Sequence, residues 1–182
     1  LYLDPSNAKA HNNLGLALFS RGKTQEAGAE FLRSVELDPN DAEAHFNLGV
    51  LLLQQEFVEE SIAQFEEDLR IHPTDAAAYE NIGHAMLKSE RIGDAINELK
   101  KSLDLYPANP SLQNELAWIL ATTPQLSLRD GPESVRLATS ASESNSGDPA
   151  ILRTLAASYA ADGKYSNAVQ TATKALQAAQ SQ

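Results

Sequence analysis

The chain has 182 residues, 42% of them hydrophobic, which is enough to bury a core in one domain or two. Its net charge of −11 speaks against nucleic acid, whose phosphates call for a basic footprint. The absence of cysteine excludes disulfides, thiolate metal sites and a cysteine nucleophile, and no apolar run reaches the length of about eighteen residues that a membrane span needs.

Leu1-Tyr2-Leu3-Asp4-Pro5 has no Met, no basic segment and no cleavage site, so it does not read as a signal peptide. It looks like a cut inside a larger protein, and the compartment, cytoplasmic or periplasmic, stays undecided. Residues 1–7 read as the tail of a preceding unit. From there the chain repeats itself. Asn13-Leu14-Gly15, Asn47-Leu48-Gly49 and Asn81-Ile82-Gly83 follow one another at 34 residues, as do Pro5, Pro39, Pro73 and Pro107. Ala27, Ser61 and Ala95 keep the same spacing. The period divides the chain into units 8–41, 42–75, 76–109, 110–148 and 149–182, each expected to be two antiparallel helices. First helices should start near Ala8, Ala42, Ala76, Pro110 and Pro149, with Asp41, Asp75, Asn109 and Asp148 as N-caps. Prolines 39, 73 and 107 should end second helices. Gly15, Gly49, Gly83, Ala117 and Ala156 are small, which lets paired helices approach, and Ala27, Ser61, Ala95, Ser134 and Ala168 supply the facing small surface. Asp68 breaks a column held by Ser34, Ser102, Ala141 and Ala175, and is expected to weaken its junction or to point outward. The fourth unit carries an insertion, 122–131, and the fifth has the polar last turn of an end cap.

These columns resemble the tetratricopeptide repeat family over nearly the whole chain. The resemblance implies an all-α fold, a right-handed α-solenoid of about five antiparallel helix pairs. It also implies that first helices line a concave groove that holds protein or peptide. The stretched fourth unit, Leu116-Ala117-Trp118 through Arg129-Asp130-Gly131, is similar to a variant found in many bacterial multi-repeat proteins.

Carried onto this sequence, the family's groove positions include Asn12, Asn13 and Phe19; Phe46, Asn47 and Val50; Glu80, Asn81, His84 and Lys88; and Asn114 and Trp118. Lys9, Leu16, Glu43, Leu53, Leu87, Glu115, Arg153 and Thr154 are groove positions of the same set. An amide side chain both donates and accepts, so Asn13, Asn47 and Asn81 suit the backbone of an extended peptide of any sequence. This is similar to the asparagine ladder in the repeat array of O-linked N-acetylglucosamine transferase; the other reading is local bonding between neighbouring units. Phe19, Phe46, Val50 and Leu53 suit apolar anchors, or they pack between helices. Trp118 is either a binding hot spot or a cover for the insertion. A carboxylate clamp does not fit, because Glu43 and Glu80 stand where basic residues would be needed.

No phosphate loop, nucleophile elbow or metal-binding histidine pair occurs, so neither a catalytic site nor a cofactor is expected. His11 and His45 share a column with Tyr79 and read as rings packed inside their pairs. Charge is uneven. Residues 42–75 hold one arginine against eight acidic residues, and 149–182 hold three basic residues against one acidic. Glu56, Glu59, Glu60, Glu66, Glu67 and Asp68 lack the turned loop of a calcium site and read as a solvated face. The expected function is a protein-interaction scaffold. The alternatives are the recognition arm of a larger enzyme, such as a glycosyltransferase, and a spacer or self-association module.

Overall fold

The computed structural model describes residues 5–180. Among them are ten α-helices, one 3-10 turn and no strand. In chain order the helices are α1 (Ala8–Phe19), α2 (Thr24–Leu37), α3 (Ala42–Gln54), α4 (Val58–Ile71), α5 (Ala76–Lys88), α6 (Ile92–Leu105), α7 (Pro110–Thr122), α8 (Gly131–Ser144), α9 (Pro149–Ala161) and α10 (Tyr165–Gln180). The chain forms two compact units, divided between Ser102 and Leu103 inside α6. In the first, α1 packs on α2, α2 on α3, α3 on α4 and α4 on α5, while α1 touches α3 and α3 touches α5. The second repeats this logic with α7 on α8, α8 on α9, α9 on α10, and α7 on α9. No amphipathic pair buries its apolar stripe alone, so each takes its cover from the next.

The helix ends follow from side-chain chemistry. Asn7, Asp41, Asp75, Asn109 and Asp148 stand in extended backbone before α1, α3, α5, α7 and α9, and each accepts a hydrogen bond from an amide of the first turn. Asp75 takes two, from the Ala77 and Ala78 amides. Pro110 and Pro149 occupy the first turn, where no amide hydrogen is needed. Pro39, Pro73 and Pro107 lie just beyond α2, α4 and α6. Within a pair the turn reverses through one left-handed residue: Gly22 and Gly163 at φ 72°, and Glu56 and Glu90, which carry side chains, at φ 66° and 58°. Lys23, Phe57, Arg91 and Lys164 then donate back to the carbonyls of Leu18, Leu52, Met86 and Tyr159, closing the preceding helix.

The paired helices meet at glycine, but against a larger partner than the small column. A Cβ added at Gly15 would lie 2.6 Å from the Phe31 ring, at Gly49 2.8 Å from Phe65, and at Gly83 2.7 Å from Leu99. Phe31, Phe65 and Leu99 are fully buried. Ala27, Ser61, Ala95 and Ser134 are also buried, one turn earlier on the second helix. Asp68 does not point outward: it is 1% exposed, and its Oδ2 has no hydrogen-bond partner among the described residues. Ser34, in the same column, donates from Oγ to the Ala8 carbonyl at 2.8 Å, so this column faces the start of its paired first helix.

Residues 122–131 form an ordered loop. They include a 3-10 turn at Leu126–Leu128, an Arg129 Nε donating to the Thr123 carbonyl at 2.8 Å, and an Asp130 amide donating to the Leu120 carbonyl at 3.2 Å. Gly131 is pressed on the end of α9, where an added Cβ would lie 2.7 Å from Asp162 backbone. The loop is thus fastened to both α7 and α9.

Candidate functional site

The first unit offers one candidate surface, built from α1, α3 and α5. On α1, Lys9, Asn13 and Leu16 are exposed, and Phe19 is half-buried against the core of Ala27, Phe31, Leu48 and Leu51. On α3, Glu43 is exposed while Phe46, Asn47, Val50 and Leu53 are half-buried; on α5 the half-buried residues are Glu80, Asn81, His84 and Leu87, and Lys88 is exposed. Phe46, Val50, Leu53 and Leu87 gather on the core containing Ile62, Phe65, Ile82 and Met86. The Phe46 ring meets Phe65 edge-on, with centroids 5.6 Å apart. Phe19 belongs to the neighbouring cluster.

The asparagines differ from one another. Asn12 is buried, and its Oδ1 accepts from Asn47 Nδ2 at 3.0 Å, tying α1 to α3. One residue is about 100° of helical rotation, which turns Asn12 inward and leaves Asn13 exposed. Asn81 Nδ2 donates to the Ala77 carbonyl of its own helix at 2.8 Å. Local bonding therefore accounts for one donor each of Asn47 and Asn81, and an amide has more capacity than that.

In the second unit, Arg153 on α9 lies 5.1 Å above the ring of Trp118 on α7, and Trp118 remains 38% exposed. Asn114 is half-buried, and its buried Oδ1 has no partner among the described residues. It occupies the repeat column of Asn12, which explains the same inward turn. Thr154, in the column of Asn47, is buried and donates to the Ala150 carbonyl of its own helix at 3.2 Å.

A structural column was only half visible in the sequence. His45 Nε2 lies 3.2 Å from the Pro39 carbonyl, Tyr79 Oη donates to that of Pro73 at 3.3 Å, and Gln113 Nε2 to that of Pro107 at 2.6 Å. Each ties a first helix to the proline turn before it. His45 Nδ1 also meets Gln64 Oε1 at 2.8 Å, and His11 Nδ1 meets Glu30 Oε2 at 2.6 Å, so both rings bridge their helix pairs. Ring shape drew attention to His11, His45 and Tyr79. Gln113 was missed because an amide shares their reach but not their shape.

Electrostatically, α4 presents exposed Glu59, Glu60 and Glu66. The Arg70 guanidinium, 2.6 Å from Glu67, holds that carboxyl below its ordinary range. Burial, with Asp75 adding to it, pushes Asp68 up to about 6. Among the described residues no group of three or more His, Cys, Asp or Glu side chains is placed to hold a metal ion, and no helix is long and apolar enough to cross a membrane.

Residues 15–56 match the family described as TPR repeat, and residues 76–109 match the family described as tetratricopeptide repeat. These two stretches are tetratricopeptide repeats. Among solved structures the chain is similar to YrrB, a TPR protein with an unusual peptide-binding site, at 20% identity and TM-score 0.82, covering 96% of this chain and 88% of that one. It is also similar to residues 41 to the end of MamA from Desulfovibrio magneticus RS-1, at 19% identity and TM-score 0.82, covering 100% and 99%. PilF of Pseudomonas aeruginosa is similar at 20% identity and TM-score 0.71, covering 94% and 76%. A comparison with curated protein sequences finds no match. At these identities the neighbours establish the fold of the repeats. The repeat-family matches support a protein-interaction scaffold.

Proposed function

We propose that the repeats bind an extended peptide or partner segment along the α1–α3–α5 surface, and that the chain is not an enzyme. The observation that carries this reading is the adjacency of amides to an accessible apolar strip. Phe46, Val50, Leu53 and Leu87 are half-buried on one core, and Asn47 and Asn81 share their helices. A bound chain would seat apolar side chains on the strip and pair its backbone with the amides. Asn12 acts from behind, holding Asn47 in one orientation by the 3.0 Å hydrogen bond. Preorganisation of this kind lowers the entropy cost of binding. Glu80, His84 and Lys88 then set the polarity that a partner must match at the α5 end. In the second unit the Arg153–Trp118 pair supplies a cation above an aromatic face, which suits an acidic or aromatic side chain of the same partner class. A neighbour described as having an unusual peptide-binding site makes peptide the first ligand to try.

Selection from a random peptide-display library tests the reading. Peptides enriched on the wild-type chain are expected to bind Asn13→Ala/Asn81→Ala about thirtyfold more weakly, at roughly 1 kcal/mol for each lost hydrogen bond. Val50→Glu is expected to abolish binding, with the thermal melt of each variant recorded alongside. Equal affinity for the wild type and all these variants would sink the proposal.

A further inference from the structure

Asparagine is chemically labile where the backbone nitrogen of the next residue can attack its Cγ. A folded chain prevents the attack by committing that nitrogen to a hydrogen bond or by holding the side chain elsewhere. Most asparagines here lie within helices, where the next amide is bonded to the preceding turn. Outside the helices, Asn7 is held by the Ala10 amide and Asn40 by the Arg70 guanidinium, while Asn109 precedes Pro110, which has no N–H. Asn145 differs from all of these. It lies just beyond α8, and Asn145, Ser146 and Gly147 are exposed. Among the described residues no acceptor takes the Ser146 amide. The Asn145 side chain makes one long hydrogen bond, from Nδ2 to Asp148 Oδ2 at 3.4 Å.

The repeat register explains the open amide. Ser146 stands where Pro39, Pro73 and Pro107 stand in the earlier turns, two residues before the capping residue. The backbone is alike in these turns. φ and ψ are −136° and 91° at Asp38, −120° and 79° at His72, and −151° and 76° at Asn145. The amides of Asp41, Asp75 and Asp148 donate back to those three carbonyls at 3.2, 3.1 and 3.3 Å. Replacing proline by serine thus leaves an unbonded N–H directly after an asparagine. We propose that Asn145 is a site of spontaneous covalent modification, at which the Ser146 nitrogen closes on Asn145 Cγ to form a succinimide. The new N–Cγ bond replaces the Cγ–Nδ2 bond; the Ser146 proton passes to solvent, and ammonia leaves after taking one from it. Water then opens the ring. Opening at Cγ gives aspartate, and opening at the main-chain carbonyl gives isoaspartate, which runs the chain through the side chain. Either product puts a second negative charge beside Asp148, whose Oδ1 caps α9 by accepting from the Ala150 amide at 2.8 Å. The mark therefore falls on the turn that joins α8 to α9.

Incubation of the full chain in warm, mildly alkaline buffer, with peptide mapping by mass spectrometry over time, tests the assignment. The peptide holding Asn145 is expected to lose its amide to completion, as a mixture of aspartyl and isoaspartyl forms, while the other asparagines keep theirs. Ser146→Pro removes the attacking nitrogen and keeps Asn145. It is expected to fold like wild type, because three turns of the same backbone already carry proline, and to retain the Asn145 amide. Urea unfolding of this variant, with an unchanged or higher midpoint, separates lost chemistry from a lost fold. An Asn145 that outlasts the helical asparagines overturns the proposal. So does a purely aspartyl product, which direct hydrolysis gives without a ring, or a Ser146→Pro chain that loses the amide as fast as wild type.

Discussion

At Asp68, burial removes a carboxyl from water without giving its Oδ2 a donor among the described residues. The surroundings do not compensate: Asp75 opposes ionisation, and His72 and His45 only partly favour it. The folded state therefore holds the Asp68 proton up to about pH 6, against an ordinary value of 3.8. Stability is highest where the group is protonated in both states. It falls as pH rises from about 4 to 6 and levels off above that, because only the unfolded chain ionises freely in that window. Asp68→Ser removes the charge and restores the hydroxyl that bonds Ala8 from Ser34. It is expected to stabilise the chain at pH 7.5 by about 1–3 kcal/mol and by much less below pH 4, as measured by urea unfolding at both pH values. Gly49→Ala should act in the opposite sense. Its Cβ would press on the fully buried Phe65 ring, and a loss of about 1–3 kcal/mol is expected from overpacking despite the gain in helix propensity. Glu56, at φ 66°, occupies the conformation that glycine takes at positions 22 and 163. Glu56→Gly is expected to stabilise the chain slightly, by roughly 0.5 kcal/mol and seen as a higher melting temperature, as relief of left-handed strain exceeds the added freedom of the unfolded chain. None of these positions announced its role by residue type alone. Asp68 was legible as an exception to its column, but whether it faced in or out depended on the helix packed beside it.

At the scale of the element, helix starts and turns were legible because they are set by chemistry within a few residues. Asp41, Asp75, Asn109 and Asp148 cap with their own side chains, and prolines stop helices by lacking a donor. Asp75→Ala, which strips two amides of their acceptor, is expected to cost about 1 kcal/mol, seen as a lower urea midpoint with an unchanged slope. Facing was less legible. Asn12 and Asn13 are neighbours of the same type, yet one is buried against Asn47 and the other is exposed. Trp118 stacks under Arg153, a residue 35 positions away on another helix. The polar last turn of α10 suggests an end cap, while the spacing of Tyr165, Val169 and Leu176 places its few large apolar residues on one face. Composition averages around a helix, and burial depends on the angle.

For the whole molecule, a stack stabilised by unit and neighbour-interface terms responds locally. Asp68→Ser is expected to slow amide hydrogen exchange most in α3, α4 and α5, with α7–α10 changed far less; a uniform slowing would show a single cooperative unit instead. The 34-residue period and the capping positions could be read from the residues alone, and the resemblance that they carry to a known repeat family implied the all-α fold. Which side chains remain available to a partner was decided only by the tertiary structure. Periodicity assigns every repeat the same role at the same column, but a column's exposure depends on whether the next helix covers it. Ile62 and Val169 share one column, and the first is buried beneath α5 while the second faces solvent. The same holds for the amides: the sequence sets Asn47 and Asn81 in one register, and only the neighbouring backbone and side chains determine that one bonds Asn12 and the other its own helix.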